Sequence, residues 1–214
     1  MNNAVLLRAA AAALGCVLVV GGAGSAFAAN NDDEMGNQQV GVAVQIDAIG
    51  ALTLSVASGS TALSEVASTD PDIRAFSGAL PDVTVTDDRQ NVPAGVFWYV
   101  TGQASALTSG QNSIDAGHLG WTPKMVIAQG NGEVAEGDPV TTVLDPDPVQ
   151  GVKNNVGLVG NELLALSLDA QSAAAVGSWT AGADLLLKVP KTVAPGAYSG
   201  TITITLWEGE QTSP

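Results

Sequence analysis

Apolar residues recur at every second position in a series of short runs along the chain. Val40, Val42, Val44 and Ile46 alternate with small or polar residues, and Leu52, Leu54 and Val56 repeat the pattern after Gly50. The same period returns in Asp82 to Thr86, Val96 to Val100, Trp121 to Ala128 and Leu185 to Val189. It is clearest from Tyr198 to Leu206, where Tyr198, Gly200, Ile202, Ile204 and Leu206 share one side while Ser199 and three threonines take the other. Side chains of an extended chain point alternately to two faces, so each run predicts a strand with one face in a core.

Between the runs lie clusters such as Asn91-Val92-Pro93-Ala94-Gly95 and Ala194-Pro195-Gly196, whose residues favour turns. The nearest approach to a helical pattern is Asn161 to Ala175, but its leucines fit alternation from Leu164 to Leu168 equally well, so one short helix is the most it predicts. Seven or more strands without intervening helices predict an all-β fold, an antiparallel β-sandwich or barrel. Gly130 to Asn155 breaks the pattern. It carries Glu133, Glu136, Asp138, Asp145 and Asp147 with three prolines and four glycines, and predicts a long acidic surface loop holding one strand at Val140 to Leu144.

The amino terminus has a different logic. Met1 to Arg8 carries one positive charge, Ala9 to Val20 is an apolar run, and Ala26-Phe27-Ala28 supplies small residues at the positions an export peptidase reads. This layout predicts a signal peptide over residues 1–28, cleaved before Ala29, and a secreted, extracellular or wall-associated mature chain without a transmembrane segment. Residues 29–39 read as a flexible acidic leader, 40–208 as the β domain and 209–214 as a carboxy-terminal tail. The chain ends shortly after Leu206 without a sorting motif and hydrophobic tail, which predicts that attachment to a wall is not covalent.

Cys16, the sole cysteine, falls inside the signal peptide, so the mature chain has neither disulfide nor thiolate ligand. All 21 acidic residues but only six of the seven basic ones lie beyond residue 28, a net charge of 6 − 21 = −15. Such a surface repels nucleic acid. His118 is the single histidine and sits in the turn-like Asp115-Ala116-Gly117-His118-Leu119, which predicts a solvated turn residue. Asp87-Asp88 and Asp145-Pro146-Asp147 are neighbours in sequence and cannot face each other across a cleft, so they read as turn caps and solubilising charge rather than paired catalytic carboxylates. Asn30 to Glu34 and Asp145 to Asp147, the acidic stretches considered for calcium, lack the Asp-x-Asp-x-Asp-Gly spacing of a calcium loop. The expectation is therefore a non-enzymatic protein without catalytic residues, metal ligands or cofactor, calcium being the one ion that acidic loops could take.

Four tryptophans stand out among few aromatics. Trp98 lies between Phe97 and Tyr99, so both faces of one strand carry an aromatic ring, and only one face can be core. Trp98, Tyr99 and Trp121 are the expected contact residues for a binding surface, while Trp179 is the indole a sandwich core commonly buries.

From Gly78 to Leu206 the chain resembles the WxL domain of Gram-positive surface proteins. The residues that carry the resemblance are Val83-Thr84-Val85-Thr86-Asp87-Asp88-Arg89, the strand at Trp98, Leu119-Gly120-Trp121-Thr122-Pro123-Lys124, and Ala183 to Pro190 leading into Tyr198 to Leu206. At the two positions that name the family the chain has Trp98-Tyr99-Val100 and Ile204-Thr205-Leu206, with Trp207 one place further on. The resemblance implies non-covalent association with the cell wall, with peptidoglycan or other surface proteins as partners. A structural or partner-binding matrix subunit without wall affinity, and a secreted carbohydrate-binding module, are the alternative expectations.

Overall fold

β-branched and aromatic side chains at alternate positions suit a pleated, half-buried surface, and they draw the chain into strands. The computed structural model describes residues 49–127, 130–146 and 153–211. Among them run β1 (Leu52–Val56), β2 (Ser64–Val66), β3 (Ile73–Ala79), β4 (Val83–Asp87), β5 (Val96–Ala104), β6 (Leu107–Ser109), β7 (Asn112–Ile114), β8 (Leu119–Ile127), β9 (Ala135–Glu136), β10 (Glu162–Ser167), β11 (Ser178–Pro190) and β12 (Ile202–Glu210). A helix, α1 (Ala170–Val176), and a 3-10 turn at Ala116–His118 complete the set. The predicted strand at Val40 to Ile46, the signal peptide and the leader lie outside the described residues.

The fold is an all-β antiparallel sandwich. One sheet has the order β1-β4-β11-β3-β2, with β8 against β11; the other has the order β12-β5-β10-β9. All these pairs are antiparallel. The long β11 organises the first sheet, since β4 takes its first residues, β3 its last, and β8 the middle. The core lies between the sheets. Val83, Val85, Ala181, Ala183, Leu185 and Leu187 supply one side, and Val96, Trp98, Val100 and Leu164 the other, with Trp121 and Trp179 among them. Gly102 shows how closely the layers meet: a Cβ there would lie 2.5 Å from Cη2 of Trp121, so only glycine lets that indole reach β5.

Several expectations need adjustment. β12 starts at Ile202, not at Tyr198, and runs past Leu206 to Glu210. Tyr198 and Gly200 precede it, and Ser199 makes only an isolated bridge with Thr108. Residues 161–175 hold both of their competing patterns in succession. The leucines form β10, bulged between Leu163 and Ala165. Asp169 then accepts hydrogen bonds from the Gln171 and Ser172 amides to cap α1, which Gly177 ends at φ 94°.

The acidic segment 130–155 is bound to the sandwich more tightly than a surface loop would be. Val134, Val140 and Thr142 are buried. The strand predicted at Val140 to Leu144 is absent. In its place Val140 makes a single bridge to Trp121, and the only strand in the segment's described residues is β9. Asp145 is not solvated charge either. It accepts from the Thr142 amide and hydroxyl and forms an ion pair with Lys188 on β11, which anchors the segment.

Candidate functional site

Alternation in β5 decides which aromatics meet solvent. Val96, Trp98 and Val100 point inward and are buried, with Trp98 0% exposed. Phe97 and Tyr99 therefore point outward, and both are half-buried. The antiparallel register places Trp207 of β12 opposite Tyr99, and Gly209 opposite Phe97. Because Trp207 is an odd step from Leu206, it takes the outer face while Ile202, Ile204 and Leu206 take the inner one.

The result is a row of three rings. Phe97 and Tyr99 have centroids 6.1 Å apart with planes 15° from parallel, and Tyr99 and Trp207 are 6.2 Å apart at 16°. Trp207 is 41% exposed. Its indole Nε1 donates to the Thr101 hydroxyl at 2.9 Å, which fixes the ring over β5. Gly209 leaves room for Phe97, whose Cζ would lie 2.5 Å from a Cβ at that position. Leu166 of β10 pairs with Tyr99 from the other side and extends the apolar surface. Along β5 and β12 the face continues with Thr101, Gln103, Thr203 and Thr205, so its residues on these two strands carry no formal charge although the chain as a whole is strongly acidic.

Of the three residues expected to make contacts, Tyr99 alone lies on this face. Trp98 is on the opposite side of the same strand, and Trp121, 2% exposed, is enclosed against Gly102. Neither presents surface to a partner, which corrects the expectation for both. Their indole Nε1 atoms have no hydrogen-bond partner. Trp179 is buried as expected, and its Nε1 donates to the Ala173 carbonyl at 3.3 Å. Phe97 and Trp207 were missed, although the alternation that carries Phe97 outward with Tyr99 was visible; the cross-strand register that adds Trp207 was not.

The charged residues form structural bonds. Asp87, expected to be solubilising, is 0% exposed. The Arg89 guanidinium holds it through Nε at 2.8 Å and Nη2 at 2.7 Å, and also reaches Glu208 on β12, tying the two sheets together at one end. These bonds, that to Asp87 foremost, push the Arg89 pKa up. Asp88 fits its expected role as a cap, accepting from the Ala51 amide. His118 is half-buried rather than solvated, with Nδ1 2.8 Å from the Lys188 carbonyl oxygen. Burial raises the Glu162 carboxyl. At Asp145 burial acts in the same direction, but the bonds from Lys188 and Thr142 outweigh it and hold the carboxyl below the usual range. Among the described residues there is no group of three or more His, Cys, Asp or Glu side chains placed to hold a metal ion, and no helix long and apolar enough to cross a membrane.

Neither family models nor curated protein sequences give a match to this chain. Among solved structures, a chain from a chaperone–tip adhesin complex of CFA/I fimbriae biogenesis aligns at 12% identity and a TM-score of 0.41, covering 75% of this chain and 43% of that one. The present chain thus spans less than half the length of that protein.

Proposed function

We propose that the chain is a secreted, non-enzymatic cell-surface protein, a divergent member of the WxL group, that associates non-covalently with the Gram-positive cell wall through the outer face of its four-stranded sheet. One observation supports this reading above the others: the row of Phe97, Tyr99 and Trp207 on a sheet face bordered by threonines. Aromatic faces take up the apolar sides of sugar rings, and hydroxyl and amide groups beside them serve the sugar hydroxyls. An uncharged patch on an acidic protein suits the neutral glycan backbone of peptidoglycan better than anionic wall polymers, which the net charge repels.

On this reading the family-naming positions have exchanged roles with their neighbours. Trp98 and Leu206 are committed to the interior, and contact passes to Tyr99 and Trp207, one residue along in each strand. The test is sedimentation of the purified protein with insoluble peptidoglycan, comparing wild type with Trp207→Ala. Retention of wild type and its loss in the variant support the proposal. Equal sedimentation of both, or none of either, rejects it and leaves a partner-binding surface subunit.

A further inference from the structure

The backbone of β12 is engaged on one side and open on the other. Ser105 donates to the Thr201 carbonyl and Gln211 to the Gly95 carbonyl, just beyond the two ends of the strand, so the odd-numbered residues between them turn their N–H and C=O groups toward β5. Ile202, Ile204, Leu206, Glu208 and Glu210 turn theirs the opposite way. Among the described residues no strand pairs with that edge and no other group bonds to it. From Ile202 to Leu206 the edge also lacks the devices that keep strands from pairing further: there is no proline, no charge and no bulge in the register with β5.

The residues with open backbone groups are also those on the inner face of the sheet. Ile202, Ile204 and Leu206 belong with the core yet are only half-buried. A cleft of about 970 Å³ opens beside them between the sheets, with Leu63, Phe76, Val193, Tyr198, Ile202 and Ile204 in its wall. Close-packed interiors do not leave apolar space of that size. Past Leu206 the inner positions turn acidic: Arg89 holds Glu208, whereas Glu210 is exposed and has no ion pair among the described residues. A hydrocarbon ligand would fill the cleft but leave the strand edge to water. A second copy pairing through its own β12, antiparallel and centred on Leu206, would set Ile202 and Ile204 against Glu210 and Glu208. An extended peptide meets both demands, since its backbone completes the ladder while alternate side chains enter the cleft.

We propose that the β12 edge and the cleft beside it form a docking site for an extended segment of a partner protein. The segment adds as a strand antiparallel to β12, the more stable of the two pairings, and sets apolar side chains at three alternate positions against Leu206, Ile204 and Ile202. Antiparallel entry brings its amino-terminal end to Glu210, where a lysine or arginine is matched both to that carboxylate and to the acidic chain as a whole. The site lies on the inner side of the sheet and stands whether or not the aromatic outer face binds a wall.

The experiment titrates the full chain into a fluorescently labelled peptide, Lys-Thr-Gln-Thr-Val-Thr-Val-Thr-Val, and follows polarisation. Its valines are placed to meet Leu206, Ile204 and Ile202, and its lysine to meet Glu210. Saturable binding that is lost when serine replaces the valines supports the proposal. N-methylation then tests the backbone without altering the protein: on the middle valine, whose N–H faces β12, it should abolish binding, and on a neighbouring threonine, whose N–H faces away, it should not. Glu210→Lys should weaken the peptide by roughly twofold to fivefold, and exchange of the peptide lysine for glutamate should restore it. No saturable binding below about 1 mM overturns the proposal, as does binding indifferent to the methylated position, which would mean filling of the cleft without strand pairing. Dimerisation of the chain that the peptide reverses would assign the edge to a second copy and overturn it as well.

Discussion

Tyr99 and Trp207 face each other across β5 and β12 with ring centroids 6.2 Å apart, on the side of the sheet opposite Trp98. The same strand thus separates a structural indole from an exposed aromatic row by a single residue. Trp98→Ala should lower stability by about 3–5 kcal/mol, because it empties a fully enclosed site. Trp207→Ala should cost about 1 kcal/mol or less, since its ring is partly in solvent and it gives up one hydrogen bond. Urea unfolding of both variants checks this. A similar loss in both would place Trp207 in the core and remove it from the binding face.

Arg89 carries the charge that makes Asp87 tolerable inside the protein. Arg89→Met should destabilise by about 3–5 kcal/mol, because it leaves a fully buried carboxylate without its partner. Glu208→Gln should cost about 0–1 kcal/mol, as that end of the network is exposed to water. The double variant Asp87→Asn with Arg89→Met should recover part of the loss. Equal costs for Arg89→Met and Glu208→Gln would mean that the cross-sheet contact, not the buried carboxylate, governs this end of the sandwich.

The strands were legible because each has one face in the core, which leaves period two in its residues. What the pattern could not report was pairing between strands far apart in sequence. Trp207 joins Tyr99 only through a register spanning more than one hundred residues, so a row of aromatics looked like a cluster within β5. Asp87 shows a second limit. Two adjacent aspartates read alike, yet strand alternation buries the first beside Arg89 and leaves the second capping Ala51. In the acidic segment, abundant charge concealed three inward anchors, Val134, Val140 and Thr142, that are too widely spaced to form a period.

Asp145 provides a pH-dependent anchor for that segment. Its folded pKa lies below that of an unfolded aspartate, about 3.9, so its contribution is present in full above that value and is lost as pH falls through the folded pKa. Glu162 acts in the other direction: burial raises its folded pKa, so its contribution is full below the unfolded glutamate value, about 4.3, and is lost as pH rises through the folded pKa. The Tm difference between wild type and Asp145→Asn should therefore be largest at neutral pH and shrink toward pH 3. A difference independent of pH would show that the Lys188 pair does not stabilise the folded chain.

Gly209 permits a test of the aromatic row that touches no ring directly. It lies opposite Phe97, and a methyl group there would stand 2.5 Å from Cζ and 2.9 Å from Cε1 of that ring. The ring sits on the outer face with solvent beside it, so Gly209→Ala should push it aside rather than strain the core. Replacing a strand glycine also restricts the unfolded chain, which stabilises by about 0.4–1 kcal/mol where the backbone tolerates it. Stability should thus change little while peptidoglycan retention falls, because Phe97 no longer lies parallel to Tyr99. In a Phe97→Ala background the same substitution should have no further effect on retention, since residues that act through one contact are not additive. If Gly209→Ala leaves retention intact while Trp207→Ala abolishes it, the contact surface is confined to Tyr99 and Trp207, and Phe97 only flanks it.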